Sequence, residues 1–219
     1  MTRLRLSDLM ELQMEVLCSE PKKDKASLFS GTLTTENIAG KLLISTPSVD
    51  DEGCFNKSII FILTHDQGGT FGVIVNRVIS SINASMIFKS LQIKCQDVIG
   101  DNPLMFGGPI ESEKGLILHS SDYKKDVLLK INDQLMLSSN TNILKQIAKG
   151  SGPKDCLLML GYACWSSGQL ENEMCSGKWI VTDYSHHLVF SKDHYSKYNE
   201  ALNSVGIKPG SMLTGFGTA

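Results

Sequence analysis

Long apolar runs are missing from this chain. No segment reaches the roughly eighteen consecutive apolar residues that a membrane-crossing helix needs, so no membrane span is expected. Paired cysteines are missing as well. Six cysteines lie scattered through 219 residues with no Cys-x-x-Cys, which argues against a structural zinc motif or a disulfide framework and fits reduced thiols. Charge of one sign is not in excess either. A net charge of -2 offers no bulk basic surface to neutralise phosphates, which argues against nucleic-acid binding of that kind. A secretory leader would need an uninterrupted apolar stretch, yet Asp8, Glu11 and Glu15 fall between Met1 and Cys18. Val16-Leu17-Cys18 lacks the small residues of a lipoprotein cleavage site. A cytoplasmic location is the expectation. Aromatics make up only 7% of the chain, which makes the placement of its two tryptophans informative.

What is present is ordinary for a globular protein: 42% hydrophobic and 20% charged residues. The length suits one large domain, or one domain with an appendage, and a core of that size needs no disulfide or metal staple. Residues 1–35 read as an N-terminal helical extension and linker. Leu6, Leu9, Leu12 or Gln13, and Val16 recur at helical spacing, Ser7 or Asp8 is a plausible cap, and Pro21-Lys-Lys-Asp-Lys25 is a polar connection. Such a helix would pack on the domain or on a partner.

Residues 36–219 read as the domain. Lys41–Ser45 and Lys57–Leu63 are expected strands, and the second is apolar enough to be buried on both faces. His65-Asp-Gln-Gly-Gly69 turns the chain into a third strand from Thr70 to Asn76, making a hairpin. Asn83 caps a helix to about Leu91, with Met86, Ile87, Ser90 and Leu91 read as its inward face. Strands flank a Gly107-Gly108-Pro109 corner, and Asp126–Ile131 is read as continuing the sheet. A helix from Ser139 or Asn140 stops at Gly150, and Asp155–Tyr162 is a central strand. Gln169–Ser176 is a helix opened by a Ser166-x-x-Gln169 capping box. Trp179–Thr182 and Leu188–Phe190 read as strands, and Asp193 opens a last helix with Tyr195, Tyr198, Leu202 and Val205 on one face. Helices that do not alternate one for one with strands point to α+β rather than a parallel α/β sheet.

Three segments carry a resemblance. Leu160-Gly-Tyr-Ala-Cys-Trp-Ser-Ser-Gly-Gln-Leu-Glu-Asn-Glu173, followed by Trp179, is the longest. Phe106-Gly-Gly-Pro-Ile110 with Gly115-Leu-Ile-Leu-His119, and Phe71-Gly-Val-Ile-Val-Asn-Arg77, accompany it. Together they resemble the YqgE/AlgH family of bacterial proteins, also called UPF0301 or DUF179. The resemblance spans about residues 37–219. It implies a curled, mixed and largely antiparallel sheet forming a partial barrel with helices packed outside, and it brings no established reaction with it. The chain departs from the family pattern at its end, Gly217-Thr218-Ala219 where Gly-His-Ala is common, and at Val78, where proline usually follows.

Few residues present themselves for chemistry. Gly68-Gly-Thr-Phe-Gly72 leads into a strand with no Walker lysine, so it reads as a hairpin and not a phosphate loop. His186, His187 and His194 with Asp183 and Asp193 hint at a metal site, but their spacing offers no ligand set, and no metal is expected. Cys164, Ser166 and Ser167 lie at a strand-to-helix turn whose glycine spacing is not that of a nucleophile elbow. The candidate binding surface therefore follows the resemblance: His65, Gly107, Gly108, Pro109, His119, Trp165, Gln169 and Glu171, with no catalytic residue assigned and no cofactor expected. The function expected is a non-catalytic binding or regulatory protein acting through protein contacts, with the partner unknown. A regulatory role in transcription attaches to the family by name, while the sequence shows no helix-turn-helix or basic arm. The alternative is an enzyme or small-ligand binder with a pocket between the Gly-Gly-Pro corner, His65 and the Trp165 turn. A thiol-redox role for Cys164 ranks third.

Overall fold

The computed structural model describes residues 37–49, 53–95 and 102–208. The N-terminal extension expected over residues 1–35 lies outside the described residues.

The first hairpin forms as its sequence dictates. β1 (Leu42–Ser45) pairs antiparallel with β2 (Ile59–Asp66), which pairs with β3 (Gly69–Ile74). Asp66 makes the turn by accepting the Gly68 backbone N–H at 2.7 Å. Ile59–Leu63 is buried on both faces because β2 sits between two strands, with side chains alternating into two different clusters. β10 (Trp179–Thr182) closes this half against β1. The other half contains β4 (Val78–Asn83), β5 (Pro103–Phe106), β6 (Ile110–Ser120), β7 (Leu129–Lys130) and β8 (Leu135–Ser138).

β9 (Cys156–Ser166) joins the halves. Its first part runs parallel to β5 and antiparallel to β6, and its last part pairs with β3. The strand order is β10-β1-β2-β3-β9-β6-β8-β7, with β4 and β5 off that path. The result is a curled, mostly antiparallel half-barrel of mixed α+β class.

Where β9 changes partner, Gly107 bridges the gap. Its N–H donates to Leu160 O and its carbonyl accepts from Ile74 N, both at 2.8 Å. The close approach leaves no space for a side chain. A Cβ on Gly107 would lie 2.2 Å from Gly161 O, and one on Gly161, at φ 72°, would lie 2.3 Å from Gly108 O. The glycines of the Gly-Gly-Pro corner are therefore a backbone crossing between the two halves of the sheet.

The face common to both halves holds one large cluster that includes Phe61, Val73, Met105, Leu118, Leu137 and Met159. α4 (His186–Phe190) and α5 (Lys197–Ser204) pack onto it through Leu188, Val189, Ala201 and Leu202. α1 (Ala84–Ser90) and α2 (Thr141–Ala148) cover the opposite face of the β5–β6–β9 half. α3 (Gln169–Cys175) covers the opposite face of the β1–β3 half through Leu170.

Several local expectations need correcting. His186–Phe190 is a helix, not a strand, because Ser185 caps it by accepting Leu188 N. α1 turns Ala84 and Phe88 inward, leaving Met86 51% and Leu91 41% exposed. The last helix starts at Lys197, and Tyr195 in the preceding turn stands 89% exposed. β9 runs to Ser166, and the cap of α3 is Gly168 at φ 76° with no side-chain bond. Gln169 instead reaches back, accepting from both the N–H and the hydroxyl of Ser166. Of the Asp126–Ile131 stretch only Leu129–Lys130 joins the sheet.

Candidate functional site

Four of the eight predicted residues come together. His65 at the end of β2 lies across the hairpin from Thr70, and Thr70 pairs with Trp165 on β9. The His65 side chain is 6% exposed; its Nδ1 is 2.8 Å from Thr70 Oγ1 and its Nε2 is 3.7 Å from Glu171 Oε1. Gln169 and Glu171 follow from α3, which the turn at Ser167-Gly168 folds back over the sheet.

The centre of this group is Glu173, which by sequence alone reads as a polar residue on the solvated face of the helix. Its Oε2 accepts the indole N–H of Trp165 at 3.0 Å and that of Trp179 at 2.7 Å. Its Oε1 accepts from Gln169 Nε2 at 3.1 Å. The two indoles meet edge to face at 5.8 Å, and Phe55 packs against both, at 6.2 and 5.8 Å. Both tryptophans are buried. The signal in the sequence was the spacing itself: a carboxylate one helical turn beyond Gln169 and close to both tryptophans, in a chain with only two of them.

The other four predicted residues do not join the group. Gly107, Gly108 and Pro109 lie beside the middle of β9, where Gly107 and Gly108 press on the Gly161–Tyr162 backbone. Neither glycine has room for a side chain. The Trp165 turn is held separately, with its indole packed on Trp179 and Phe55. His119 pairs with Cys156 at the opposite end of β9, about 30 Å from Trp165 at the usual rise per residue. It is fully buried, with Nδ1 at 2.9 Å from Ser120 O and Nε2 at 3.0 Å from Ser138 Oγ. Burial lowers its pKa, so the neutral ring ties β6 to β8.

Nor do the remaining candidates converge. His186 pairs with Asp155 at 3.2 Å and His187 with Glu200 at 3.0 Å, so the adjacent histidines serve separate contacts. Among the described residues no group of three or more His, Cys, Asp or Glu side chains is placed to hold a metal ion. No helix among them is long and apolar enough to cross a membrane. Cys164 is exposed on β9, and partial burial of its thiol raises its pKa, opposite to what an activated thiolate needs.

A cavity opens elsewhere, at the start of β2. It has a volume of about 660 Å³ and is lined by Lys57, Arg77, His194, Tyr195 and Asn199 among others. Asn76 builds its floor, accepting Ile59 N at 2.8 Å and donating to Lys57 O at 2.9 Å. Arg77 Nη2 donates to Asn56 O at 3.0 Å. The residues come from three distant segments, so no local pattern announces the cavity; Asn76-Arg77 was the visible part, as the end of one resembling segment.

Fold and site define a class: a half-barrel α+β scaffold whose signature residues form a closed aromatic cluster. The chain belongs to the AlgH-like family, DUF179, which matches residues 42–210. It is 42% identical over 175 residues to a UPF0301 protein of Rickettsia canadensis, covering 78% of this chain and 90% of that one. A UPF0301 protein of Rickettsia prowazekii is 40% identical over 171 residues, with the same coverage. Among solved structures, the AlgH protein from Pseudomonas aeruginosa superposes with a TM-score of 0.68 at 24% identity, over 89% of this chain and 100% of that one. A protein from Corynebacterium diphtheriae gives a TM-score of 0.62 at 20% identity, over 81% and 90%. These two likenesses concern the fold alone.

Proposed function

We propose that this protein is a cytoplasmic, non-catalytic binding protein that acts through protein contacts made by the α3 end of the sheet. The observation that carries this reading is the state of Glu173. A side chain accepting from two buried indoles and an amide has three of its four acceptor positions committed to holding α3 against β9. His65 is likewise engaged by Thr70. A rigid platform results, and it presents exposed Ser167, Gln169 and Asn172 beside half-buried Glu171. Rigid polar surfaces set on a packed aromatic base suit recognition, because little side-chain freedom is lost on binding.

A photocrosslinking amino acid placed at Asn172, and in parallel at Lys145 on α2, tests this in cells. A discrete protein adduct from position 172, absent from position 145 and lost in a Glu171→Arg protein with unchanged melting temperature, is expected. Equal labelling from both positions, or none from 172, would reject the α3 surface.

A further inference from the structure

We infer that the cavity between the 53–57 loop, the β3–β4 junction and the turn before α5 is a binding site for a small phosphate ester carrying a flat ring. Its volume of about 660 Å³ is that of a site for a small organic molecule. Two cations line it, and the scaffold fixes both. Lys57 is a non-glycine residue at φ 51°, a conformation that persists only where neighbours enforce it. Asn76 enforces it, gripping the chain on both sides of Ser58 through Lys57 O and Ile59 N. The Lys57 side chain is exposed. Arg77 uses one Nη2 donor on Asn56 O, and the rest of its fork makes no other bond among the described residues.

Neither cation has a carboxylate partner within 4.0 Å among the described residues. A guanidinium and an ammonium lining one cavity match the charge and the several acceptor oxygens of a phosphate monoester. His194 forms part of the wall. It is nine-tenths buried, and its Nδ1 has no hydrogen-bond partner. Tyr195 stands 89% exposed at the same cavity, an accessible ring on which a planar group can stack. Tyr198 is engaged elsewhere, donating its hydroxyl to Ser45 O at 2.7 Å, and so serves as wall.

The site is independent of the α3 surface proposed above, and its test uses other residues. The full chain, labelled with 15N, is titrated with AMP, adenosine, ribose 5-phosphate and inorganic phosphate. AMP is expected to shift amides of residues 53–57, 76–80 and 194–199, with a Kd on the order of 0.1 mM. Adenosine, lacking the phosphate, should leave them unmoved. Lys57→Gln, at an exposed side chain that holds nothing in the fold, should weaken AMP about tenfold, and Arg77→Gln at least as much. Tyr195→Ala should weaken AMP about fivefold and leave ribose 5-phosphate unchanged.

Asp50, Asp51 and Glu52 adjoin Gly53 in sequence and lie outside the described residues, so their amide variant D50N/D51N/E52Q completes the set. Equal or tighter AMP binding by this variant is expected. Loss of binding there would mean that carboxylates hold the ligand, and would overturn the proposal. Equal shifts with adenosine and AMP, binding of inorganic phosphate with AMP rejected, or no shift at these residues with any of the four would overturn it too.

Discussion

At the α3 end of the sheet, one carboxylate takes the N–H of both tryptophans and an amide N–H besides. At the start of β2, an arginine spends one donor on a backbone carbonyl, and a lysine lining the same cavity has no side-chain bond among the described residues. The loop before β2 reaches both regions. Phe55 packs against both tryptophans, and Lys57, two residues on, lines the cavity. The dry cluster therefore anchors the loop that carries the cavity's cation. The difference teaches how to read polar residues in a fold of this kind. A polar group surrounded by aromatics and fully bonded stabilises the structure, because leaving it unbonded costs more than its bond contributes. A polar group held in place but unbonded at its tip is available to a ligand.

The comparison breaks first if the frame carrying both regions is altered. Gly107→Val and Gly161→Val should each cost on the order of 4 kcal/mol or more, since the new side chain would overlap backbone that cannot move without parting the sheet. Thermal unfolding and the yield of folded protein measure this. A variant that melts like the parent would show that the crossing is looser than the distances imply.

Next come the residues of the dry cluster. Trp165→Ala should cost about 3–5 kcal/mol, the usual loss for a buried large aromatic. Glu173→Leu leaves two buried indole N–H groups without an acceptor and should cost about 2–4 kcal/mol, whereas Glu173→Gln keeps an acceptor and should cost about half of that. Urea denaturation separates the three. Near-equal stability of the Leu and parent proteins would mean that Glu173 is free for other work, and the contrast between the regions would fail.

Much of this frame was legible in the sequence, for physical reasons that also mark the limits. The β2–β3 hairpin was visible because an apolar run and a Gly-Gly turn are local signals. The β10 boundaries and the Asn83 and Asn140 caps were visible for the same reason. Val78–Asn83 was missed as a strand because it pairs on the short β5 with a register shift, and its Ser80 and Ser81 face solvent. Leu188-Val-Phe190 has the composition of a strand, but the Ser185 cap and packing onto the common core make it helical. Glu173 reads as a solvated helix residue from its own segment, because its role depends on where Trp179 returns. The cavity depends on three segments meeting, which no window of sequence contains.

The third effect is pH dependence, and it singles out the cavity wall. Burial, with Lys197 nearby, pushes the His194 pKa down to about 4, and burial lowers that of His119. Between about pH 6.5 and 4 the unfolded chain then binds more protons than the folded one, so stability must rise with pH. It is fully present above pH 6.5 and falls as the medium is acidified. The lowered carboxyls of Asp122 and Asp193 act in the same sense, at pH values below about 4. His194→Asn should flatten the slope by about 2 kcal/mol across the window, which is below the full shift because an imidazolium at a cavity wall can draw in water. His119→Asn should flatten it by a separate amount. Denaturant midpoints at a series of pH values give both slopes. A parallel loss in parent and variant would place the titrating groups elsewhere.

The smallest expected effect falls at Cys164, which lies on the strand leading into the dry cluster yet takes no part in it. Its backbone pairs with Phe71, its side chain is exposed, and desolvation raises its thiol pKa. Two features that activate a cysteine are lacking here. Burial alone shifts its pKa, with no cation acting on the thiol, and the residue sits within β9, several positions before α3 begins. Cys164→Ala should therefore change stability by less than about 0.5 kcal/mol, the range of surface substitutions away from special contacts. Alkylation should proceed no faster than for a free cysteine at the same pH, and should slow as pH falls below the thiol's raised pKa. Rapid peroxide oxidation at neutral pH, abolished in the alanine protein, would reverse this order. It would make the exposed thiol, and not the cavity, the reactive counterpart of the tryptophan cluster.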